Sequence, residues 1–196
     1  MDQVTEEAVL ATQEATGHSV YGGSSLPRIV ACPASVLESL RAGLKPESIY
    51  AKKGTELHDL SEKAESSSDP RRYILSRDQL DIEDTSLLLD SHDYVESIKA
   101  KHKGPVTMSL EDNGSLAAWG LPEVYGTQDV RLESATRVDV IDYKYGYGVP
   151  VFAKENYQLI SYLAMGIPYD PDGYPKELYV HICQPPKQIF DEWFVP

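Results

Sequence analysis

Asp142, Tyr143 and Lys144 form an acid–x–lysine triplet in a segment, 137–144, that reads as a β-strand. Side chains alternate along a strand, so Asp142 and Lys144 share a face, about 7 Å apart along the backbone. A carboxylate beside an ammonium suits metal-assisted hydrolysis: the carboxylate holds a divalent cation, and the lysine orients or helps deprotonate an attacking water. The same triplet also suits an ordinary ion pair on a solvated strand, and three-residue patterns arise constantly by chance. The preceding strand, 123–133, adds to it. Paired antiparallel with 137–144, it brings Asp129 beside Asp142, and two converging carboxylates repel unless a cation lies between them. Taken singly, Asp129 is equally a surface aspartate behind the Gly126-Thr127 pair.

Three further side chains join this set. Gln158 and Tyr162 are four apart on a helix read over 156–166, so they share a face and place two polar tips beside an apolar stripe. That pattern fits contacts to a ligand at a sheet edge, or simply a helix flank. His58 lies beside the Leu57, Leu60 and Ala64 stripe of a helix read over 54–64. A neutral imidazole there is a metal ligand or a packed core group.

These side chains need elements to hold them. Residues 1–24 read as a flexible N-terminal arm with an acidic helical piece over 6–15, and residues 25–196 as a single domain. After Pro33 a short helix is expected from Ser35 to Leu40, stopped at Gly43. The Ser66-Ser67-Ser68-Asp69-Pro70 run ends the helix of His58 and opens a variable polar segment. A long helix over 86–103, capped by Asp84 or Thr85, precedes Gly104-Pro105. Strands over 106–111, 123–133 and 137–144 form a close-turned meander, and a last strand over 177–183 leads into an extended Pro185-Pro186 exit. Helices alternating with strands in this order predict an α/β fold with a central sheet.

Composition narrows the classes. No stretch approaches the 18 apolar residues of a membrane span. The first residues lack the basic and apolar regions of a secretory signal, which predicts a cytoplasmic protein. Cys32 and Cys183 cannot complete a four-thiolate site within one chain, so no iron–sulfur cluster is expected here, and Cys32 is read as a small buried residue. Eighteen basic against 31 acidic residues, a net charge of −13, argue against tight nonspecific binding to phosphate backbones. A cation site, however, adds acidic residues of its own. The Asp170-Pro171-Asp172-Gly173 stretch reads as a surface turn rather than a calcium loop.

In order along the chain, His58, the Gly126-Thr127-Gln128-Asp129 strand, the Asp142-Tyr143-Lys144 strand and the Gln158 to Tyr162 helix resemble the PD-(D/E)XK nuclease superfamily. The likeness is to its RecB-like branch, which includes phage exonucleases and CRISPR adaptation nucleases. Lys53-Gly54-Thr55-Glu56-Leu57-His58, Ile141 to Gly146, and Gly23-Ser24-Ser25 through Arg28 to Cys32-Pro33 look like phrases of a phage-encoded subfamily, and the likeness spans about residues 22–186. The resemblance implies a central mixed sheet flanked by helices, with a restriction-endonuclease-like core. It implies that His58, Asp129, Asp142 and the main-chain carbonyl of Tyr143 bind Mg²⁺ or Mn²⁺. It also implies that Lys144 positions the nucleophilic water and that Gln158 and Tyr162 hold the substrate strand or Lys144. Arg28, Lys52 and Lys53 lie in or near the motif segments and are candidate phosphate contacts. The implied activity is a metal-dependent DNA exonuclease of phage recombination or genome processing, with DNA and a phage recombination or replication protein as partners. The alternative is an inactive module that keeps the fold and binds DNA or protein.

Overall fold

The computed structural model describes residues 19–43, 48–168 and 176–196. The expected helix over 6–15 and the turn over 170–173 lie outside them, as does most of the expected arm. The fold is α/β, with a five-stranded mixed sheet in the order β1-β2-β3-β4-β5 flanked by helices. The strands are β1 (Thr107–Leu116), β2 (Leu121–Glu133), β3 (Arg137–Tyr143), β4 (Glu177–Gln184) and β5 (Ile189–Val195). The helices are α1 (Leu26–Ala31), α2 (Ser35–Ala42), α3 (Ile49–Glu65), α4 (Pro70–Leu75), α5 (Ile82–Lys99) and α6 (Tyr157–Met165). Among the described residues, no helix is long and apolar enough to cross a membrane.

All seven residues of β3 are buried, as a central strand requires. β2 pairs with it antiparallel, Val130 opposite Ile141, through a short turn. β4 pairs with it parallel, Asp142 opposite Ile182, because the intervening chain passes through α6 and crosses over before returning. β5 then folds back antiparallel on β4. The Pro185-Pro186 exit is therefore not extended: it makes a single 3₁₀ turn, Gln188 takes φ 54°, and the chain reverses into the missed fifth strand.

Helix starts differ from expectation for one reason, capping. Ser48 accepts from Ala51 N and starts α3 five residues before Gly54. Asp81 accepts from Asp84 N and starts α5 four residues before Ser86. Asp69 likewise caps α4, with Pro70 in its first turn, so the expected polar segment contains a helix.

Contacts group the chain into two compact units. One gathers the described residues of Met1–Pro46, Asn113–Thr127 and Glu155–Gly173. The other gathers those of Glu47–Asp112, Gln128–Lys154 and Tyr174–Pro196. In the first, Ser19 and Gly22, from the end of the expected arm, are buried, and Ser19 Oγ donates to the Glu123 carbonyl at 2.6 Å.

The second unit holds an apolar core of Leu57 and Ala64 from α3, Leu88, Val95 and Ile98 from α5, and Val130, Leu132, Ile141 and Cys183 from the sheet. It also holds a wholly buried carboxylate, Asp139. Arg137 donates to both of its oxygens, at 2.6 and 2.8 Å, while His181 Nε2 lies 2.8 Å and His102 Nε2 2.9 Å away. Burial alone would raise this carboxyl. The hydrogen bonds from His181 and Arg137 outweigh it and hold Asp139 below the usual range.

Candidate metal centre and active site

His58, Asp129, Asp142, Tyr143 and Lys144 all belong to the second unit. The β2–β3 register brings Asp129 to the end of β3, where its Oδ2 accepts the Tyr143 N–H at 2.6 Å. Asp142, on β3 itself, is 3% exposed. Lys144 follows the strand, its N–H still bonded to the Cys183 carbonyl at 2.8 Å, and its Nζ lies 2.6 Å from Asp142 Oδ2.

α3 delivers His58 to the same place. Its Nδ1 is 3.7 Å from Asp129 Oδ2. The ring is held edge-on by Tyr143, with centroids 6.0 Å apart, and by Tyr145, at 5.3 Å. Tyr145 is itself fixed, because its hydroxyl bonds Ser61 and donates to Ser91 Oγ at 2.8 Å. Tyr145, held by the two serines, thus orients the histidine.

The structure adds Glu111, which the sequence reading missed. Donor atoms of His58, Glu111 and Asp129 all lie within 4.8 Å of one another. Glu111 adopts φ 45°, left-handed backbone that a residue with a Cβ adopts only when its surroundings impose it. β1 was expected to end there. It continues to Leu116, and no residue type in the sequence signals the irregular conformation.

Electrostatics describe a site short of positive charge. Burial, reinforced by Asp142, pushes the Asp129 carboxyl up to about 8, against the Tyr143 N–H and Lys144. Burial and then Asp129 push Glu111 up to about 7. Burial lowers His58, opposed by Asp142, so the imidazole is neutral at neutral pH. Neutral imidazole and strained carboxylates form the donor set a divalent cation takes, since bound cation charge relieves the repulsion that protons otherwise relieve. Oxygen donors favour Mg²⁺, and the imidazole makes Mn²⁺ competitive.

Gln158 and Tyr162 belong to the first unit, where Gln158 Nε2 donates to the Tyr162 hydroxyl at 3.1 Å. This unit also explains two motif glycines. A Cβ on Gly126 would lie 3.0 Å from Tyr162 Cε1, and one on Gly23 would lie 2.4 Å from the same atom. The tyrosine ring is packed between backbone segments that only glycine leaves open.

The basic candidates are placed differently. Arg28 is exposed on α1 and Lys52 is exposed on α3. Lys53 is ion-paired to Asp84, beside a cavity of about 190 Å³ whose lining includes Asp81 and Glu83. Arg71 pairs with Asp93, Lys99 with Glu96 and Lys101 with Glu192. Cys32 corrects its expectation. It is exposed, because α1 ends at Ala31 without burying any of its residues.

A family model described as "Protein of unknown function (DUF2800)" matches residues 18–196, which include every candidate ligand above, and the chain belongs to that family.

Proposed function

We propose that this protein is a divalent-metal-dependent DNA nuclease of the PD-(D/E)XK type, acting from DNA ends as an exonuclease. The observation that carries this reading is the pairing of Asp129 and Asp142 at the end of β3, with Lys144 against one carboxylate and His58 against the other. His58, Glu111, Asp129, Asp142 and the Tyr143 carbonyl would hold Mg²⁺ or Mn²⁺. A bound ion would supply Lewis acidity toward the phosphodiester and lower the pKa of a coordinated water. Lys144, whose Nζ lies 2.6 Å from Asp142 Oδ2, would hold and orient the attacking water beside the ion that Asp142 would help to bind. For Gln158 and Tyr162, which belong to the other unit, a contact with the substrate strand rests on the resemblance alone. Arg28 and Lys52 contact phosphates, whereas Lys53 does so only by exchanging Asp84. On this reading the protein works in the host-cell cytoplasm, in phage recombination or genome processing with a partner protein.

The test is cleavage of end-labelled linear and closed circular DNA with Mg²⁺ or Mn²⁺. Linear substrate is degraded, circular substrate survives, and Asp142→Ala abolishes turnover. Absence of cleavage with every metal and substrate, with DNA binding retained, would favour a binding module. One observation speaks for that second reading: Lys53, Arg71, Lys99 and Lys101 are each ion-paired with an acidic side chain, so a phosphate would have to displace those partners to use them.

A further inference from the structure

We propose that Glu65, His92 and Glu96 form a second, independent cation site, suited to Zn²⁺ or a similar transition ion, where α3 crosses α5. It shares no residue with the His58 group. Glu65 ends α3 seven residues after His58, about two helical turns and roughly 10 Å further along the axis. His92 and Glu96 are four apart on α5 and therefore present their side chains on one face. One donor atom from each of the three lies within 4.8 Å of the others.

The independent sign of a ligand is the Glu65 carboxylate. Glu65 is 6% exposed, and its Oε2 has no hydrogen-bond partner among the described residues. Its other oxygen meets His92 Nδ1 at 2.8 Å. A buried carboxylate satisfied at only one oxygen requires an explanation, and a cation shared with His92 and Glu96 would complete it. Two donors on a tetrahedral ion with bonds of about 2.0–2.1 Å stand roughly 3.3 Å apart, so the His92–Glu65 pair need open only slightly. Glu96 lies at the surface and now holds Lys99 at 2.6 Å, an exposed contact that an ion would readily displace.

One imidazole, two carboxylates and a position open to water make a zinc-type donor set, whereas Mg²⁺ retains its waters and takes oxygen donors. A bound ion would tie the end of α3, the helix that carries His58, to the middle of α5.

The experiment uses the full chain, stripped with chelator, and Zn²⁺ alone as the probe. It is read by titration calorimetry and by the shift in Tm. In the Asp129→Asn protein, with the His58 group disabled, one Zn²⁺ still binds and raises Tm. Adding Glu96→Gln weakens that binding at least about tenfold, the loss expected even for a partner one step removed from the metal. Because Glu96 is exposed, this change leaves packing intact, and His92→Ala gives the same loss. Failure of the Asp129→Asn protein to take up Zn²⁺, or uptake unchanged by Glu96→Gln, overturns the proposal.

Discussion

Without metal, Asp129→Asn should stabilise the protein. The Asp129 carboxyl keeps its proton up to about pH 8 in the folded state, whereas in the unfolded chain it loses it near the ordinary aspartate value of 3.8. Between those values the folded state binds more protons, so stability falls as pH rises through the window. Each unit corresponds to about 1.4 kcal/mol, so at pH 7 the folded state bears a cost of at most about 4 kcal/mol for this carboxylate. Asparagine removes the charge and keeps an oxygen to accept the Tyr143 N–H, which now reaches Asp129 at 2.6 Å. Half of the bound, about 2 kcal/mol, would be roughly 4–8 °C in Tm for a chain of this size. The gain should shrink as pH is lowered toward 4 and vanish below it, where the folded and unfolded carboxyls are both protonated.

Mn²⁺ should reverse the order. At a hundred times its dissociation constant, a ligand stabilises the folded state by about 2.7 kcal/mol, which wild type gains and the variant loses. The assay is thermal unfolding at pH 5, 7 and 8, in chelator and in Mn²⁺. A variant less stable than wild type in chelator at pH 7, or one stabilised equally by Mn²⁺, would refute the view that Asp129 is a repelled carboxylate awaiting a cation.

Mn²⁺ affinity should rise with pH through about 7 to 8, because Glu111 and Asp129 must shed protons held to about 7 and about 8; calorimetry in buffers of different ionisation enthalpy would show proton release, and its absence would remove both residues from the ligand set. Lys144→Ala should slow cleavage by roughly 10²–10⁴-fold with metal binding retained, as expected for a group that handles the attacking water, and a change confined to metal affinity would assign it a different role. Gly126→Ala should destabilise by about 1–3 kcal/mol by pressing on the Tyr162 ring, whereas Gly54→Ala, whose added Cβ would meet none of the described residues within 4 Å, should stabilise α3 by about 0.5–1 kcal/mol; denaturant titration measures both. Asp139→Asn should cost on the order of 3–5 kcal/mol, because it removes the closest counter-charge of the buried Arg137 and leaves it Glu192 at 3.6 Å.

The legible parts of this molecule were those written in local chemistry. The residues around Asp142 marked a strand, though not its complete burial, and the close spacing of 123–133 and 137–144 pointed to an antiparallel pair. Pairing alone then put Asp129 and Asp142 side by side. Helix ends were misjudged where a cap lay upstream of the apolar stripe, at Ser48 and Asp81, because the periodicity says where a helix buries rather than where it starts. β5 was missed for a related reason. Its burial alternates, yet Ile189-Phe190-Asp191-Glu192-Trp193-Phe194-Val195 does not alternate in residue type, since Phe190 and Phe194 point outward.

Glu111 and Gly126 mark the two limits of such reading. Gly126 belongs to a motif whose meaning is steric, and its explanation required only the Tyr162 ring that the same reading had already singled out. Glu111 has no such partner in sequence. It reaches His58 and Asp129 from β1 through one left-handed residue, and an acidic side chain at an ordinary strand position carries no mark of that turn. On the proposed reading the acidic total is no bar to phosphate chemistry: the carboxylates gathered at this site repel one another, a bound cation would relieve that repulsion, and a phosphodiester would meet that cation first.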